Sequence, residues 1–323
     1  MNTTPNYRCT HADCEHAPLT EQGAGLICPA GHFFPYVENS KVPVFAFQPE
    51  DINEYALKDA AAIHDNSLRW VFDTFGSDEP SLRKSLISRL RLSKGKTILV
   101  TGAGAGNDLP YIAKSLDGAG TIYAQDIAKQ MLMAGVERHS AEVKALGVDI
   151  FFSASDATDL PFGDQVFDAA YHFGGLNLFP DIGRGIAEMN RVVKPGGRVV
   201  ISDEGAAPWL KKTEIGQMLI KNNSLYAFDP PMDLLPDTAR DVTLSWELCN
   251  TFFVIEFVVS DKPLPINIDV PHVGRRGGSI RTRFSGQLEG ITPALRDKVY
   301  ADAEKLGVSR VAHLESLLAK SQS

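Results

Sequence analysis

The feature that most constrains the fold of this chain is a glycine-rich turn between a β-branched run and an apolar helical pattern. Residues 97–101 (TILVT) predict a short buried strand, and Gly102, Gly104 and Gly106 follow directly. The helical pattern begins at Leu109. A strand, a glycine turn and a helix together present backbone N–H groups and a helix N-terminus to a ligand. The sequence therefore predicts an α/β domain with a ligand site at the end of this strand.

A second predicted strand, residues 121–125, places an acid beside the glycine turn. It ends in Asp126, twenty residues after Gly106. A carboxylate there is positioned to accept hydrogen bonds from the two hydroxyls of a ribose, which favours an adenosine-type ligand. The same carboxylate can instead cap a helix that begins near Ala128, and the residues alone leave both roles open.

Further strands and a helix continue this alternation. The runs 150–152, 167–172 and 198–202 predict strands, and a helix through residues 182–193 precedes the last of them. The intervening KPGG sequence at 194–197 is typical of a turn. Strands that alternate with helices predict an α/β sheet.

In this order, the motifs resemble those of class I S-adenosylmethionine-dependent methyltransferases, particularly the group that includes the ubiquinone and menaquinone biosynthesis enzymes. The resemblance covers residues 94–205, including the Asp156-Ala157 pair, the Phe167-Asp168 strand opening and the run 188–197 that ends in KPGG. It implies a Rossmann-like class I methyltransferase sheet with helices on both faces, and S-adenosylmethionine as the cofactor.

The resemblance also implies a set of cofactor contacts. The residues concerned are Gly102, Ala103, Gly104, Gly106, Asp126, Ile127, Met131, Asp156, Ala157 and Phe173. The glycine turn would lie against the methionine portion, and Asp126 would hold the ribose hydroxyls. Ile127 and Met131 would flank the adenine. Asp156 would accept from the adenine amino group while the Ala157 N–H donates to the ring.

One position departs from the pattern of these methyltransferases. They usually have an acid two residues before the first glycine, where this chain has Val100. Contacts to the ammonium group of the cofactor must then come from elsewhere. A non-catalytic scaffold that keeps this cofactor-binding fold and docks partners through its N-terminal segment is therefore an alternative function, which the presence of Asp126 and Asp156 opposes.

Candidate catalytic residues lie at the end of the fourth strand and directly after it, since ligands of α/β sheets bind beyond the carboxyl ends of the strands. The candidates are Tyr171, His172 and Asn177. His172 can serve as a general base because its ordinary pKa lies near neutrality, or it can be a structural histidine. The pair Asp203-Glu204 at the end of the fifth strand is a further candidate with the same ambiguity.

The N-terminal segment predicts a structural zinc site. The four expected ligands are Cys9, Cys14, Cys28 and His32. Thiolates and an imidazole delivered as two close pairs suit the tetrahedral coordination of zinc. His11 and His16 are near enough in sequence to replace one of these ligands, so the fourth ligand stays open.

A zinc module before a methyltransferase domain is similar to bacterial 23S rRNA guanine-N1 methyltransferases, whose zinc module contacts RNA. In this chain four residues, rather than two, separate Cys9 from Cys14. The predicted module carries only Arg8 and Lys41 as cations between residues 6 and 48, which disfavours RNA binding. A small-molecule acceptor is therefore favoured, with rRNA methylation as the alternative.

Charge and hydropathy agree with this preference. The chain of 323 residues has 40 acidic and 32 basic side chains, a net charge of −8, and offers no general attraction to nucleic acid or anionic lipid. Its longest apolar run, residues 252–259, contains Glu256 and is far shorter than the roughly 20 residues that span a membrane. The N-terminus shows no secretory pattern, which predicts a cytoplasmic protein.

The patterns divide the chain into four predicted parts. Residues 1–48 form the zinc-ribbon module, and residues 49–92 a helical cap. Residues 93–260 form the methyltransferase domain, in which an insertion at 206–240 covers the acceptor. Residues 261–323 form a C-terminal extension.

Overall fold

The computed structural model describes residues 6–14, 16–46, 59–285 and 292–320. It divides the chain into two compact units, Met1–Lys262 and Pro263–Ser323. Residues 47–58, which include the start of the predicted helical cap, lie outside the described residues. The four-part division given above stays a prediction.

The N-terminal segment, residues 6–14 and 16–46, contains a small antiparallel sheet, and we call the whole segment the ribbon. Its strands are β1 (Thr20–Gln22), β2 (Gly25–Ile27) and β3 (Phe33–Pro35), in the order β1-β2-β3. A turn of 3-10 helix, Ala12–Cys14, precedes them. The following segment, residues 42–46, extends the central sheet, because Val44 forms a parallel bridge with Ala154.

The first unit is organised around a seven-stranded sheet. Its strands are β4 (Thr97–Thr101), β5 (Thr121–Asp126), β6 (Asp149–Ala154), β7 (Phe167–Phe173), β8 (Val193–Glu204), β9 (Arg240–Glu247) and β10 (Phe252–Val258). The order is β6-β5-β4-β7-β8-β10-β9. The first five strands are parallel, β10 pairs antiparallel with both β8 and β9, and β9 therefore runs in the direction of the first five. The strand order reverses between β4 and β7, where such sheets bind ligands. The predicted Rossmann-like fold is confirmed.

Ten helices are described along the two units. The first unit contains α1 (Ala60–Thr74), α2 (Glu79–Ser88), α3 (Leu109–Ser115), α4 (Lys129–Ala145), α5 (Ile182–Val192), α6 (Pro208–Lys211) and α7 (Glu214–Asn222). The second unit contains α8 (Ile280–Ser285), α9 (Pro293–Leu306) and α10 (Arg310–Lys320). Within the parts of the chain described, no helix combines the length and apolarity needed to cross a lipid bilayer.

The two faces of the sheet bury different layers, because successive side chains of a strand point to opposite sides. Ile98 and Val100 of β4 belong to the core shared with α1–α4. Leu99 belongs to the opposite core, which is shared with α5 and with the ribbon residues Tyr7 and Phe34. The ribbon is thus one of the layers that cover the sheet.

The KPGG sequence differs from its prediction as a turn. Residues 194–197 lie within the long strand β8, which already pairs with Phe167 at Val193. Gly196 adopts φ +86°, and its N–H donates to the carbonyl of Val259. Glycine tolerates this left-handed conformation, so the strand continues through an irregularity that other residues would strain.

Candidate active site

The glycine turn at the end of β4 depends on the backbone freedom of its glycines. Gly102, Gly104 and Gly106 have φ values of +59°, +52° and +81°, a region that L-residues rarely adopt. The Gly104 N–H donates a 2.7 Å hydrogen bond to Asp126 Oδ2. The Ala103 N–H donates to the carbonyl of Gln125. The turn is therefore tied to the end of β5 by two hydrogen bonds.

Asp126 connects this turn to the next helix. Its Oδ1 accepts a 2.7 Å hydrogen bond from the N–H of Ala128, the N-cap residue of α4, and so holds the chain just before the helix. Asp126 does not itself occupy the N-cap position. Burial raises the pKa of Asp126, against the opposing effect of the Ala128 and Gly104 N–H groups. Its predicted contact with a ribose stays a prediction.

The loop that follows β6, residues 155–161, we call the adenosine loop after its predicted ligand. The Ser155 N–H donates to the carbonyl of Asp126 at 3.1 Å, which brings the loop next to the glycine turn. Asp156 Oδ1 accepts from both the N–H and the hydroxyl of Thr158 at 2.8 Å. Ala157 is buried. Three sheet-end loops thus meet around Asp126.

The two apolar residues predicted to flank the adenine differ in exposure. Ile127 is 36% exposed and is open to a ligand. Met131 is only 2% exposed and clusters with Ala60, Ala105 and Ala128. The Met131 methyl group would lie 3.6 Å from a Cβ atom at Gly104, so Met131 packs against the glycine turn.

The candidate catalytic residues His172 and Tyr171 are both fully buried. His172 Nδ1 lies 3.0 Å from Thr101 Oγ1 and 3.0 Å from the Thr101 carbonyl oxygen. Burial lowers the pKa of His172 to about 4. Tyr171 donates its hydroxyl to Asp108 at 3.3 Å. This geometry favours the structural role for His172, and the catalytic roles of both residues stay predictions.

Asn177 lies in a loop that Asp203 organises. The Asp203 carboxylate accepts from the N–H groups of Gly175 at 3.2 Å, Asn177 at 2.7 Å and Glu204 at 2.8 Å. Burial raises the pKa of Asp203 well above its usual range, and the neighbouring Glu204 adds to this shift. The Asn177 amide donates to the Glu204 carbonyl at 3.1 Å. Asp203 therefore fixes the backbone that carries Asn177.

Sequence reasoning missed a buried ionic network beside this loop. Arg83 of α2 is 3% exposed and contacts Asp108 at 2.8 Å and Glu79 at 2.7 Å. Burial disfavours the charge of Arg83, but the two carboxylates outweigh it and raise its pKa. The guanidinium also lies 5.5 Å from the ring centre of the predicted cofactor contact Phe173. The sequence shows the helical spacing of Glu79 and Arg83, but it does not predict that Asp108, the residue before α3, completes the network.

The predicted zinc ligands come together in the ribbon. Ligand atoms of Cys9, Cys14, Cys28 and His32 all lie within 4.8 Å of one another. His32 Nδ1 is 3.7, 3.0 and 3.4 Å from the sulfur atoms of Cys9, Cys14 and Cys28. A tetrahedral zinc ion with bonds of about 2.0–2.3 Å requires ligand separations of this size. The donor set and its spacing therefore fit zinc.

The surroundings of His32 distinguish it from the other candidate histidines. Its Nε2 faces Asp13 Oδ2 at 3.7 Å, which leaves Nδ1 directed at the cysteines. A carboxylate that holds the second nitrogen of a metal-binding histidine is a common arrangement. His11 stacks on the His32 ring at 3.9 Å and adds no atom to the four-residue cluster.

Comparison with known proteins agrees with this architecture. The profile of a family described as "Methyltransferase domain" matches residues 99–201. A demethylmenaquinone methyltransferase of Mycobacterium marinum is 38% identical over 121 residues, which cover 38% of this chain and 47% of that protein. The chain thus spans about half the length of this relative. The enzyme of the same name from Geobacillus stearothermophilus is 28% identical over 207 residues, with coverages of 59% and 84%.

A solved structure shows the same fold at low identity. Phosphoethanolamine N-methyltransferase 2 of Haemonchus contortus, in complex with S-adenosyl-L-methionine, has a TM-score of 0.51 and 13% identity. The similarity covers 75% of this chain and 71% of that one. Residues 99–201 thus match a methyltransferase-domain profile, and they lie within a sheet that has the Rossmann-like strand order.

Proposed function

We propose that this protein transfers the methyl group of S-adenosylmethionine to a small-molecule acceptor. The convergence of the glycine turn, the end of β5 and the adenosine loop carries the proposal. Asp126 joins all three, since its carboxylate accepts from Gly104 and its carbonyl accepts from Ser155. One nucleoside can therefore contact all three segments at once, as the predicted cofactor requires.

The residues of the site bind and align the reactants. S-adenosylmethionine, when bound, supplies a methyl group activated by the positive sulfur atom. The glycine turn leaves its backbone open to the methionine portion, Asp126 accepts from the ribose, and Asp156 with Ala157 recognises the adenine edge. Methyl transfer is a displacement along one line, so much of the acceleration comes from alignment in a dry pocket.

The segment between β8 and β9 supports a small acceptor. It carries α6 and α7 and contributes Trp209, whose ring packs against Trp246 at 5.2 Å. Aromatic side chains suit a pocket for an apolar molecule. The relatives named demethylmenaquinone methyltransferases also support a small-molecule acceptor.

RNA as the acceptor receives little support from the ribbon. Lys41, one of its two cations, is paired with Glu21. Arg8, the other cation, is half-buried. An RNA-binding module requires a basic surface with several unpaired cations.

We assign a structural role to the proposed zinc ion. Four protein ligands close the coordination sphere and leave no position for a substrate or a reactive water. The purified protein is expected to contain about one zinc per chain by elemental analysis. Cys14→Ser should lower that content, whereas Cys249→Ser, at the exposed cysteine of the β9–β10 turn, should not change it.

Calorimetric titration with S-adenosylhomocysteine tests the proposed cofactor site. Asp126→Asn exchanges one acceptor oxygen for a donor and should raise the dissociation constant about tenfold or more. Asp149→Asn, at the exposed start of β6, is the matched control and should bind like the original protein. A zinc-loaded protein with no affinity for S-adenosylhomocysteine would favour the non-catalytic scaffold instead.

The acceptor class is tested separately. Methyl transfer from labelled S-adenosylmethionine is measured with small quinols and phenols and with ribosomal RNA fragments. Incorporation into RNA alone, together with RNA binding that weakens steeply with salt, would overturn the small-molecule assignment.

A further inference from the structure

The ribbon contacts the sheet at both ends of the adenosine loop. At the start of the loop, the Ala154 N–H donates to the Pro43 carbonyl at 2.9 Å, and the Ala154 carbonyl accepts from the Phe45 N–H at 2.7 Å. At its end, the Pro161 carbonyl accepts from the Arg8 N–H at 2.8 Å. These are backbone hydrogen bonds between segments more than 100 residues apart in sequence.

The two contact points of the ribbon are linked through its core. Phe45 packs on Phe34 at 4.9 Å and on Tyr7 at 5.3 Å between ring centres. Tyr7 in turn packs on Phe162, directly after the loop, at 5.5 Å. These aromatic rings therefore form one packed cluster, which links the ribbon to the residues at both ends of the loop.

The proposed zinc site lies next to these contacts in the chain. Cys9 follows Arg8 directly and is fully buried, and its N–H donates to the carbonyl of Ala17. A metal ion bound to Cys9 restrains the backbone at this residue, and therefore also keeps the neighbouring Arg8 N–H directed at Pro161. His32 is two residues before Phe34, so the second ligand pair fixes the aromatic contact in the same way.

Helix α5 holds the same loop from another side. The Leu160 N–H donates to Glu188 at 2.8 Å, and Arg191 donates to the carbonyls of Leu160 and Phe162 at 3.4 and 2.9 Å. These contacts lie at the end of the loop. The start of the loop, beside Asp156, receives its support from the ribbon segment 43–45 and from Asp126.

We propose that the zinc ribbon sets the affinity of the cofactor site by holding the adenosine loop in its binding conformation. The inference rests on the proposed function, because it assumes that the loop contacts the cofactor. Arg8 and Phe45 act as positioning residues, since Arg8 contacts Pro161 at the end of the loop and Phe45 contacts Ala154 directly before it. Loss of their contacts lets the loop sample other conformations, and the binding-competent fraction then falls.

Two substitutions at residue 8 isolate the backbone contact. Arg8→Pro removes the N–H that reaches Pro161, whereas Arg8→Ala retains it and changes only the side chain. Binding of S-adenosylhomocysteine is measured by calorimetry at 20 °C, where circular dichroism verifies that each variant is folded. Arg8→Pro should raise the dissociation constant about threefold to tenfold, and Arg8→Ala should change it less than about twofold.

Hydrogen exchange supplies the readout that a general loss of stability would not produce. In Arg8→Pro, exchange should increase at residues 154–162 and stay unchanged in β4 and α3. If Arg8→Pro does not fold, Phe45→Ala, which removes the packing of the ring on Phe34 and Tyr7, tests the aromatic contact with the same two measurements. Removal of zinc with a chelator should raise the dissociation constant in the same way, and added zinc should restore it.

The outcomes separate the two proposals. If the zinc-loaded original protein does not bind S-adenosylhomocysteine, the proposed function fails. If it binds and the folded Arg8→Pro and zinc-depleted proteins bind equally well, the proposed function stands and the role of the ribbon is overturned. Equal weakening by Arg8→Pro and Arg8→Ala would also overturn it, because the backbone contact would then not be responsible.

Discussion

The Tyr7 hydroxyl donates a 3.1 Å hydrogen bond to the carbonyl oxygen of Phe152, although 145 positions separate the two residues. Tyr7 is 3% exposed, and its ring also meets that of Tyr123 edge-on at 6.0 Å. Burial and the nearby Tyr123 raise the pKa of Tyr7, so its proton stays available for donation. Tyr7 therefore anchors the ribbon to the edge strand of the sheet.

Tyr7→Phe should lower the stability of the protein by about 1–2 kcal/mol, because the Phe152 carbonyl loses a buried donor while the ring packing is kept. For a unit of this size, the melting temperature should fall by about 2–5 °C. Scanning calorimetry measures it. Tyr36→Phe, in the same ribbon but half-buried, is the matched control, and an equal effect of both variants would argue against the anchoring role.

Arg83 offers a second test of buried contacts that join separate elements. Arg83→Met leaves the Glu79 and Asp108 carboxylates without their shared cation, and Asp108 is 14% exposed. Removal of one partner from a buried ionic group costs about 3–5 kcal/mol, which should appear in urea unfolding. Arg138→Met breaks the more exposed pair with Asp65 and should cost less than about 1 kcal/mol. Similar losses in both variants would contradict this account.

The sequence predicted the parts of the fold that are local. Residues 97–101 and 121–126 have strand patterns that end at a glycine turn and an acid, and both strands form as expected. The cysteine and histidine spacing likewise predicted a cluster, and the structure brings all four side chains together. Such patterns are readable because chain geometry alone places residues that are near in sequence.

The remaining features depend on long-range packing. The role of Asp203 requires its carboxylate to meet the backbone of residues 175–177, and the sequence offered only an acid at a strand end. His172 packs against Phe179, whose position is not predicted by the strand pattern. The position of the ribbon on the sheet depends on Tyr7 and Phe45, which look like ordinary aromatic residues in the sequence.

His172 should make stability depend on pH in a defined window. Burial lowers its pKa to about 4, whereas in the unfolded chain it is about 6.5. The contribution is fully present above pH 6.5. As pH falls from 6.5 to 4 the unfolded state takes up a proton that the folded state does not, so stability is lost. The loss should reach about 3 kcal/mol by pH 4.

His172→Asn tests this window because it removes the titrating group and can keep a hydrogen bond to Thr101. The free energy of unfolding is measured by urea titration between pH 4 and pH 8 for both proteins. The difference between the two curves should be constant above pH 6.5 and shrink toward pH 4. A difference that stays constant throughout would show that His172 titrates normally in the folded protein.

Gly102 and Gly76 form a matched pair for the glycine turn, because their φ values of +59° and +58° impose equal backbone strain on alanine. A Cβ at Gly76 meets nothing within 4 Å, whereas one at Gly102 lies 2.9 Å from His172 Cε1. Gly76→Ala should therefore cost about 1 kcal/mol, and Gly102→Ala about 1–3 kcal/mol more because buried His172 must shift. Only Gly102→Ala should also weaken binding of S-adenosylhomocysteine, since the shift distorts the turn against which the methionine portion is proposed to lie. Calorimetry measures both effects. Equal losses of stability, with binding intact in both variants, would show that the turn accommodates a side chain at residue 102. The cofactor would then not require close approach to the backbone there.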